Sequence, residues 1–177
     1  SHDQVTVAPD VTERMILDGT KIRWHMDRVD EWERGQRIAP ITIDMALTRA
    51  CDASCSFCYA MLQENDRHEI TKEVIDGFLQ DSARMGVRGI SLVSDGESLL
   101  SPVYDYTIER GCGLGISMAS GTNGRLFTRS KLERVLSGLT YLRFNISAGT
   151  RQRYSEIMGF RPDVYDQVYN NVRDSVA

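Results

Sequence analysis

An α/β fold with parallel strands is predicted by three features of the sequence. Four short strand-like runs are each followed by text of helical period. Thr and Gly stand where caps and stops are needed, and the connections between runs are short. Strands alternating with helices at this spacing favour right-handed crossovers between parallel neighbours.

The elements follow in order. Residues 13–40 are polar and helix-compatible, with Trp24, Met26, Val29 and Trp32 at mixed spacings. We take residues 1–40 as a lead-in segment packed outside the core and 41–177 as the domain proper. Ile41-Thr-Ile-Asp-Met-Ala-Leu47 alternates and is β-branched at its start, as a strand should be. A loop with three cysteines comes next. Thr71 is placed to cap a helix through Val74, Ile75, Phe78, Leu79 and Ala83 that Gly86 stops. Ile90 to Ser94 reads as the second strand, Val103 to Arg110 as a short helix, and Leu114 to Ala119 as the third strand. Thr128 caps a helix through Leu132, Val135 and Leu136 that ends at Gly138; Tyr141 to Ser147 is the fourth strand, and helical text runs from Arg151 onward.

The strands have two faces. Leu142, Phe144 and Ile146 point opposite to Arg143, Asn145 and Ser147; Ile41, Ile43 and Met45 oppose Thr42 and Asp44; Ile116 and Met118 oppose Ser117. If the apolar faces pack on helices, the other face is polar and open to ligands, unlike the branched filling of an ordinary TIM barrel. An antiparallel sheet with one wet face gives the same alternation; the intervening helices favour the parallel reading.

Composition narrows the function. The 177 residues are 41% hydrophobic and 26% charged, enough for one substantial core. The net charge of -4 comes with no block of like charge, so no strong field gathers nucleic acid or anionic lipid. A small molecule or a peptide is the expected partner. No apolar run approaches the roughly 20 residues that span a bilayer, and the start lacks a signal-peptide pattern, so neither membrane nor export is expected and the cytoplasm is the expected compartment.

Three of the four cysteines fall in Cys51-Asp-Ala-Ser-Cys55-Ser-Phe-Cys58, directly after a strand, while Cys112 stands alone. Such clustering reads as metal ligation or redox chemistry rather than a disulfide framework. A four-iron cluster usually has four thiolates, so three leave one iron open to a ligand. A structural zinc site or non-catalytic metal module, with His68 or Cys112 as fourth ligand, is the competing reading, although no second paired unit accompanies the triplet.

This C-x3-C-x2-C spacing, with Phe57 before the last cysteine, resembles the signature of the radical S-adenosylmethionine (SAM) superfamily. The resemblance implies that Cys51, Cys55 and Cys58 hold a [4Fe-4S] cluster whose open iron is chelated by SAM. Reductive cleavage then yields a 5'-deoxyadenosyl radical that takes hydrogen from a substrate, with an electron donor such as flavodoxin or ferredoxin.

Three later strand ends agree with it. Ser94-Asp95-Gly96-Glu97 resembles the family's Gly-Gly-Glu motif for the SAM amino group, with Asp95 replacing the first glycine. Ser120-Gly-Thr-Asn-Gly124 is similar to its Thr-Asn-Gly turn, implicating Asn123; taken alone, Asn-Gly also suits a hairpin. Asn145-Ile-Ser-Ala-Gly149 resembles the Ser-Leu-Asp-Gly strand end of peptide-modifying members, with Ala148 in place of the Asp. The resemblance gives Asn145 and Ser147 contacts to SAM ribose or carboxylate, Arg161 (Arg153 second) the carboxylate, and Tyr59 the adenine border.

The resembling core is a partial TIM-like barrel of six βα units. At about 30 residues per unit, this chain holds about four, so the remaining barrel half is expected in the same or another chain. A peptide or natural-product tailoring reaction is the expected chemistry.

Overall fold

The computed structural model describes residues 20–62, 69–93 and 95–176. The chain divides between Pro40 and Ile41 into two units. In the first, a 3-10 segment, Thr20–His25, runs into helix α1, Met26–Glu33. Arg28 Nη1 donates to the Ala39 carbonyl at 2.6 Å, tying the helix to the strand of chain that follows it.

The second unit is built on four strands: β1 (Thr42–Asp44), β2 (Gly89–Leu92), β3 (Ser117–Thr122) and β4 (Leu139–Phe144). They lie in the order β1-β2-β3-β4, and every neighbouring pair is parallel. The antiparallel alternative is thereby excluded, and Asn123-Gly124 is no hairpin. The sheet is open, not closed into a barrel. Helices α2 (Lys72–Arg84), α3 (Tyr104–Gly113) and α4 (Arg129–Val135) make the crossovers; α5 (Arg151–Met158) and α6 (Val164–Asp174) follow β4.

Each helix is set by its cap and its buried stripe. Thr71 Oγ1 accepts from the Val74 N–H at 3.4 Å at the start of α2. In α3, Tyr104, Thr107, Ile108 and Gly111 are buried, the spacing of one helical face. These helices cover Ile90 and Leu92 of β2 and Met118 of β3, forming the main core with Leu79 and Val135. The opposite face of the sheet stays open: Thr42, Asp44, Arg143 and Asn145 are exposed while Ile43, Leu142 and Phe144 are partly buried.

Some boundaries differ from expectation. β3 runs to Thr122 and begins at Ser117, because Leu114 still belongs to the end of α3, its N–H donating to the Arg110 carbonyl at 3.0 Å. β4 starts earlier and ends at Phe144, so alternation no longer governs Ile146, which is 37% exposed and not in the core. The pairing of β3 with β4 shifts register between Met118, opposite Leu139, and Ala119, opposite Tyr141. Thr128 precedes α4 without a side-chain capping bond. The helical text after Arg151 breaks in two at Gly159, whose φ of 73° ends α5, and at the following Pro162.

Among the described residues, no helix is long and apolar enough to cross a membrane.

Candidate active site

A cleft opens at the C-terminal ends of the strands, where parallel α/β sheets build their sites. The cysteine loop lines it with Cys51, Cys55, Phe57 and Cys58; the segment after β2 adds Val93, Gly96 and Glu97. β3 and its turn contribute Gly121, Thr122 and Asn123, β4 contributes Arg143, and Asn145 follows just past its end. Gly121 makes room there: a β-carbon would stand 3.0 Å from Val93 Cγ1 and 3.5 Å from Arg143 Nη2.

The cysteine loop is held from two sides. The N–H groups of Ser54 and Ser56 donate to the carbonyls of Met158 and Ile157 at 3.0 and 2.8 Å, which satisfies carbonyls at the end of α5. Ala53 and Cys55 pack on the cluster of Tyr154, Met158, Phe160 and Val168, with Cys55 Sγ 3.7 Å from Met158 Sδ. On the other side Gly96, at φ 69°, lies directly beneath residues 48–50. A β-carbon at Gly96 would come within 2.4 Å of the Thr48 carbonyl oxygen, so only glycine fits. The next N–H, of Glu97, donates to Ala50 at 2.8 Å.

Glu97 ties these parts together. It is 3% exposed, and its Oε1 accepts from Thr122 Oγ1 at 2.9 Å and Leu99 N at 3.4 Å. Its Oε2 accepts from the Asn123 N–H at 2.8 Å. Burial pushes this carboxyl above the usual range, and the bonds from Asn123, Thr122 and Leu99 pull it back. The side chain of Asn123 turns elsewhere, its Nδ2 donating to Asp52 Oδ1 at 2.7 Å and its Oδ1 accepting from the Arg125 N–H at 2.9 Å. Arg125 Nε meets Asp52 Oδ2 at 2.6 Å. Neither Asp52 nor Arg125 stands out in the sequence.

All four cysteines are free thiols. Cys51 is exposed as a residue, yet atoms packed around its sulfur desolvate it and push it up to about 11, with a bond from the Ala53 backbone opposing and the charges of Asp52, Glu97 and Cys55 adding. Burial, then the charge of Cys58, raises Cys55. Thiols that resist ionisation in isolation are stabilised as thiolates by a metal. Three thiols on one loop, opening on a cleft that lacks Cys112, form a donor set that could hold a four-iron cluster with one iron free. Among the described residues no three His, Cys, Asp or Glu side chains already converge on one metal position. His68, the other fourth ligand considered for zinc, lies outside the described residues, as does Ser94.

The other expected site residues divide. Phe57, Gly96, Glu97, Asn123 and Asn145 line the cleft. Tyr59, Asp95 and Ser147 do not, although Ser147 Oγ accepts from Asn145 Nδ2 at 3.3 Å. Arg161 is also outside the lining: its guanidinium is exposed and grips Asp163, with Nε 3.0 Å from Oδ1, because Asp163 is only two residues away. Arg153 pairs with Glu156 on the surface of α5. The arginine in the cleft is Arg143, whose guanidinium has no hydrogen-bond or ion-pair partner among the described residues. Its alternation in β4 was the available signal.

Comparisons with known proteins bear on the family and the fold. The chain is 26% identical over 134 residues to a probable GTP 3',8-cyclase of Saccharolobus solfataricus, covering 75% of this chain and 42% of that protein. Its fold is similar to SuiB of Streptococcus suis bound to the precursor peptide SuiA, with a TM-score of 0.66, 19% identity, and coverage of 82% of this chain and 33% of that one. It is also similar to anSMEcpe with bound AdoMet, with a TM-score of 0.64, 12% identity, and coverage of 77% and 40%. The chain thus spans less than half the length of each of these relatives. The radical SAM superfamily domain matches residues 45–176, from the end of the first strand through the last helix, and the chain belongs to that superfamily.

Proposed function

We propose that this chain forms the cluster-bearing part of a radical SAM enzyme, with a [4Fe-4S] cluster on Cys51, Cys55 and Cys58 and SAM in the adjoining cleft. The observation that carries the reading is that one loop with three free thiols shares a single cleft with the ends of β2, β3 and β4. When bound, the cluster supplies one electron that cleaves SAM to methionine and a 5'-deoxyadenosyl radical, which takes hydrogen from the substrate. The chain's own residues bind and orient. Gly96 brings backbone close, and Oε2 of Glu97, with one donor so far, has a lone pair left for the SAM amino group. Arg143, rather than Arg161, is assigned the carboxylate, as a fork of donors with no partner among the described residues suits it. Asn145, with Ser147 behind it, is assigned the ribose. Asn123 contributes through its N–H, by holding Glu97. Phe57, Val93 and Met158 supply apolar wall that keeps water out.

The substrate we infer is a peptide or related natural product. SuiB, a protein of similar fold, is bound to a precursor peptide, which supports this reading. A flavodoxin or ferredoxin as electron donor, and the rest of the barrel in the same or another chain, complete the proposal; the cytoplasm is the compartment it needs.

Electron paramagnetic resonance of the anaerobically reconstituted, reduced protein with and without SAM tests it. A four-iron signal that changes on adding SAM is expected, lost in Cys51→Ala, Cys55→Ala and Cys58→Ala but kept in Cys112→Ala. Stoichiometric zinc without iron would favour a structural metal module instead. Mass spectrometry of candidate products tests the substrate, and turnover of a nucleoside alone would sink the peptide reading.

A further inference from the structure

Asp52 follows the first cysteine of the loop, and its carboxylate is nearly out of solvent, at 11% side-chain exposure. An anion there adds to a site that gathers three thiolates. Arg125 opposes it, with Nε 2.6 Å from Oδ2. We propose that the Asp52–Arg125 pair is a charge-balancing, positioning device that sets the reduction potential of the cluster held by the neighbouring cysteines; this rests on the reading of Cys51, Cys55 and Cys58 as its ligands.

Three observations carry it. Arg125 is fixed independently of Asp52: its N–H donates to Asn123 at 2.9 Å, its carbonyl accepts from Gln167 Nε2 at 3.0 Å and from Asn171 Nδ2 at 3.3 Å, and its guanidinium lies 5.7 Å from the centre of the Phe160 ring. The cation is therefore presented to the loop, not carried by it. Both residues stand beside the ligands: Asp52 directly follows Cys51 in the chain, and Phe160, over whose ring the Arg125 guanidinium lies, packs in one cluster with Cys55. Finally, Asn123 Nδ2 holds the second carboxylate oxygen at 2.7 Å, so the carboxylate has a defined place even when its charge is removed.

Outer partners tune a metal centre through charge and hydrogen bonding. A purely structural clamp would weaken alike from either side. A balanced pair responds with opposite signs: losing the anion leaves an unopposed cation and makes reduction easier, and losing the cation does the reverse.

The test is a redox titration, with an added low-potential reductant and followed by electron paramagnetic resonance, on the full chain reconstituted anaerobically. Asp52→Asn is expected to raise the potential and Arg125→Gln to lower it, each by about tenfold in the reduction equilibrium, or about 59 mV for one electron. The double variant should return close to the parent value, and Arg125→Lys, which keeps the charge, should stay near it. Shifts in the same direction, or none, overturn the proposal. If both single variants lose the cluster, recovery of iron in the double variant supports charge balance, and no recovery overturns it. Iron is counted in the parent first: a parent that binds none overturns the cluster reading and this inference with it, whereas an iron-loaded parent with unshifted variants overturns the pair alone.

Discussion

A β-carbon on Gly159 would stand 2.0 Å from the hydroxyl oxygen of Ser54, so the turn that ends α5 is fitted against the cysteine loop without spare room. Gly159 also sits at φ 73°, a conformation that costs other residues about 1–2 kcal/mol. Gly159→Ala combines both costs and is expected to destabilise the chain by about 1–3 kcal/mol and to lower iron uptake. Urea unfolding and iron analysis check it; an alanine variant of parental stability would mean that the loop gives way freely.

The phenol of Tyr154 is buried with no hydrogen-bond partner among the described residues, and burial pushes it up to about 12. A buried unpaired polar group costs about 1–3 kcal/mol. Tyr154→Phe removes only that oxygen, so the metal-free chain should unfold at a higher temperature. A lower melting temperature would reveal a partner for the hydroxyl.

Arg143 and Arg161 separate by substitution. Arg143→Ala should weaken SAM binding tenfold or more, the scale of losing a charge-assisted hydrogen bond of about 1.5–3 kcal/mol. Arg161→Ala, which frees only Asp163, should change it less than twofold. Calorimetric titration of the reconstituted protein reads both, and the reverse ranking would return the carboxylate to Arg161.

Asp76 joins α2 to α3, accepting from Tyr106 Oη and Arg110 Nε at 2.7 Å and from Gln80 Nε2 at 2.6 Å. The bonds from Tyr106 and then Arg110 hold its carboxyl below the ordinary aspartate value of 3.8. A depressed folded value means that the stabilisation is complete above the unfolded value and drains away as pH falls through the folded one. Urea midpoints of the parent should therefore fall on acidification below the ordinary aspartate range, and Asp76→Asn should flatten that fall. An equal slope in both proteins would remove Asp76 from the acid response.

The strand–helix alternation and the cysteine spacing are legible in the sequence because both are local: periodicity and ligand spacing need only neighbouring residues. Boundaries are less so, since β3 is placed by where α3 ends and by the bond from Thr122 to Glu97, not by its own residues. The Asp52–Arg125 pair joins positions 73 apart in sequence, and an Asp amid cysteines reads as spacer until Arg125 is brought to it. Arg143 could be placed on the open face by alternation, but nothing local shows that Arg161 turns to Asp163 instead of the cleft.

The register shift between β3 and β4 has a further consequence. One residue, Thr140, is passed over where Met118 meets Leu139 and Ala119 meets Tyr141. Because side chains alternate with period two, that extra residue inverts the phase of the rest of β4. Were Thr140 paired with Ala119 instead of passed over, Gly121 would face Leu142, and Arg143 would be driven toward the helices. Deletion of Thr140 would join Leu139 to Tyr141 and leave Arg143 opposite Gly121, so the strand would keep its wet and dry sides, whereas deletion of Leu142 would exchange them beyond Tyr141.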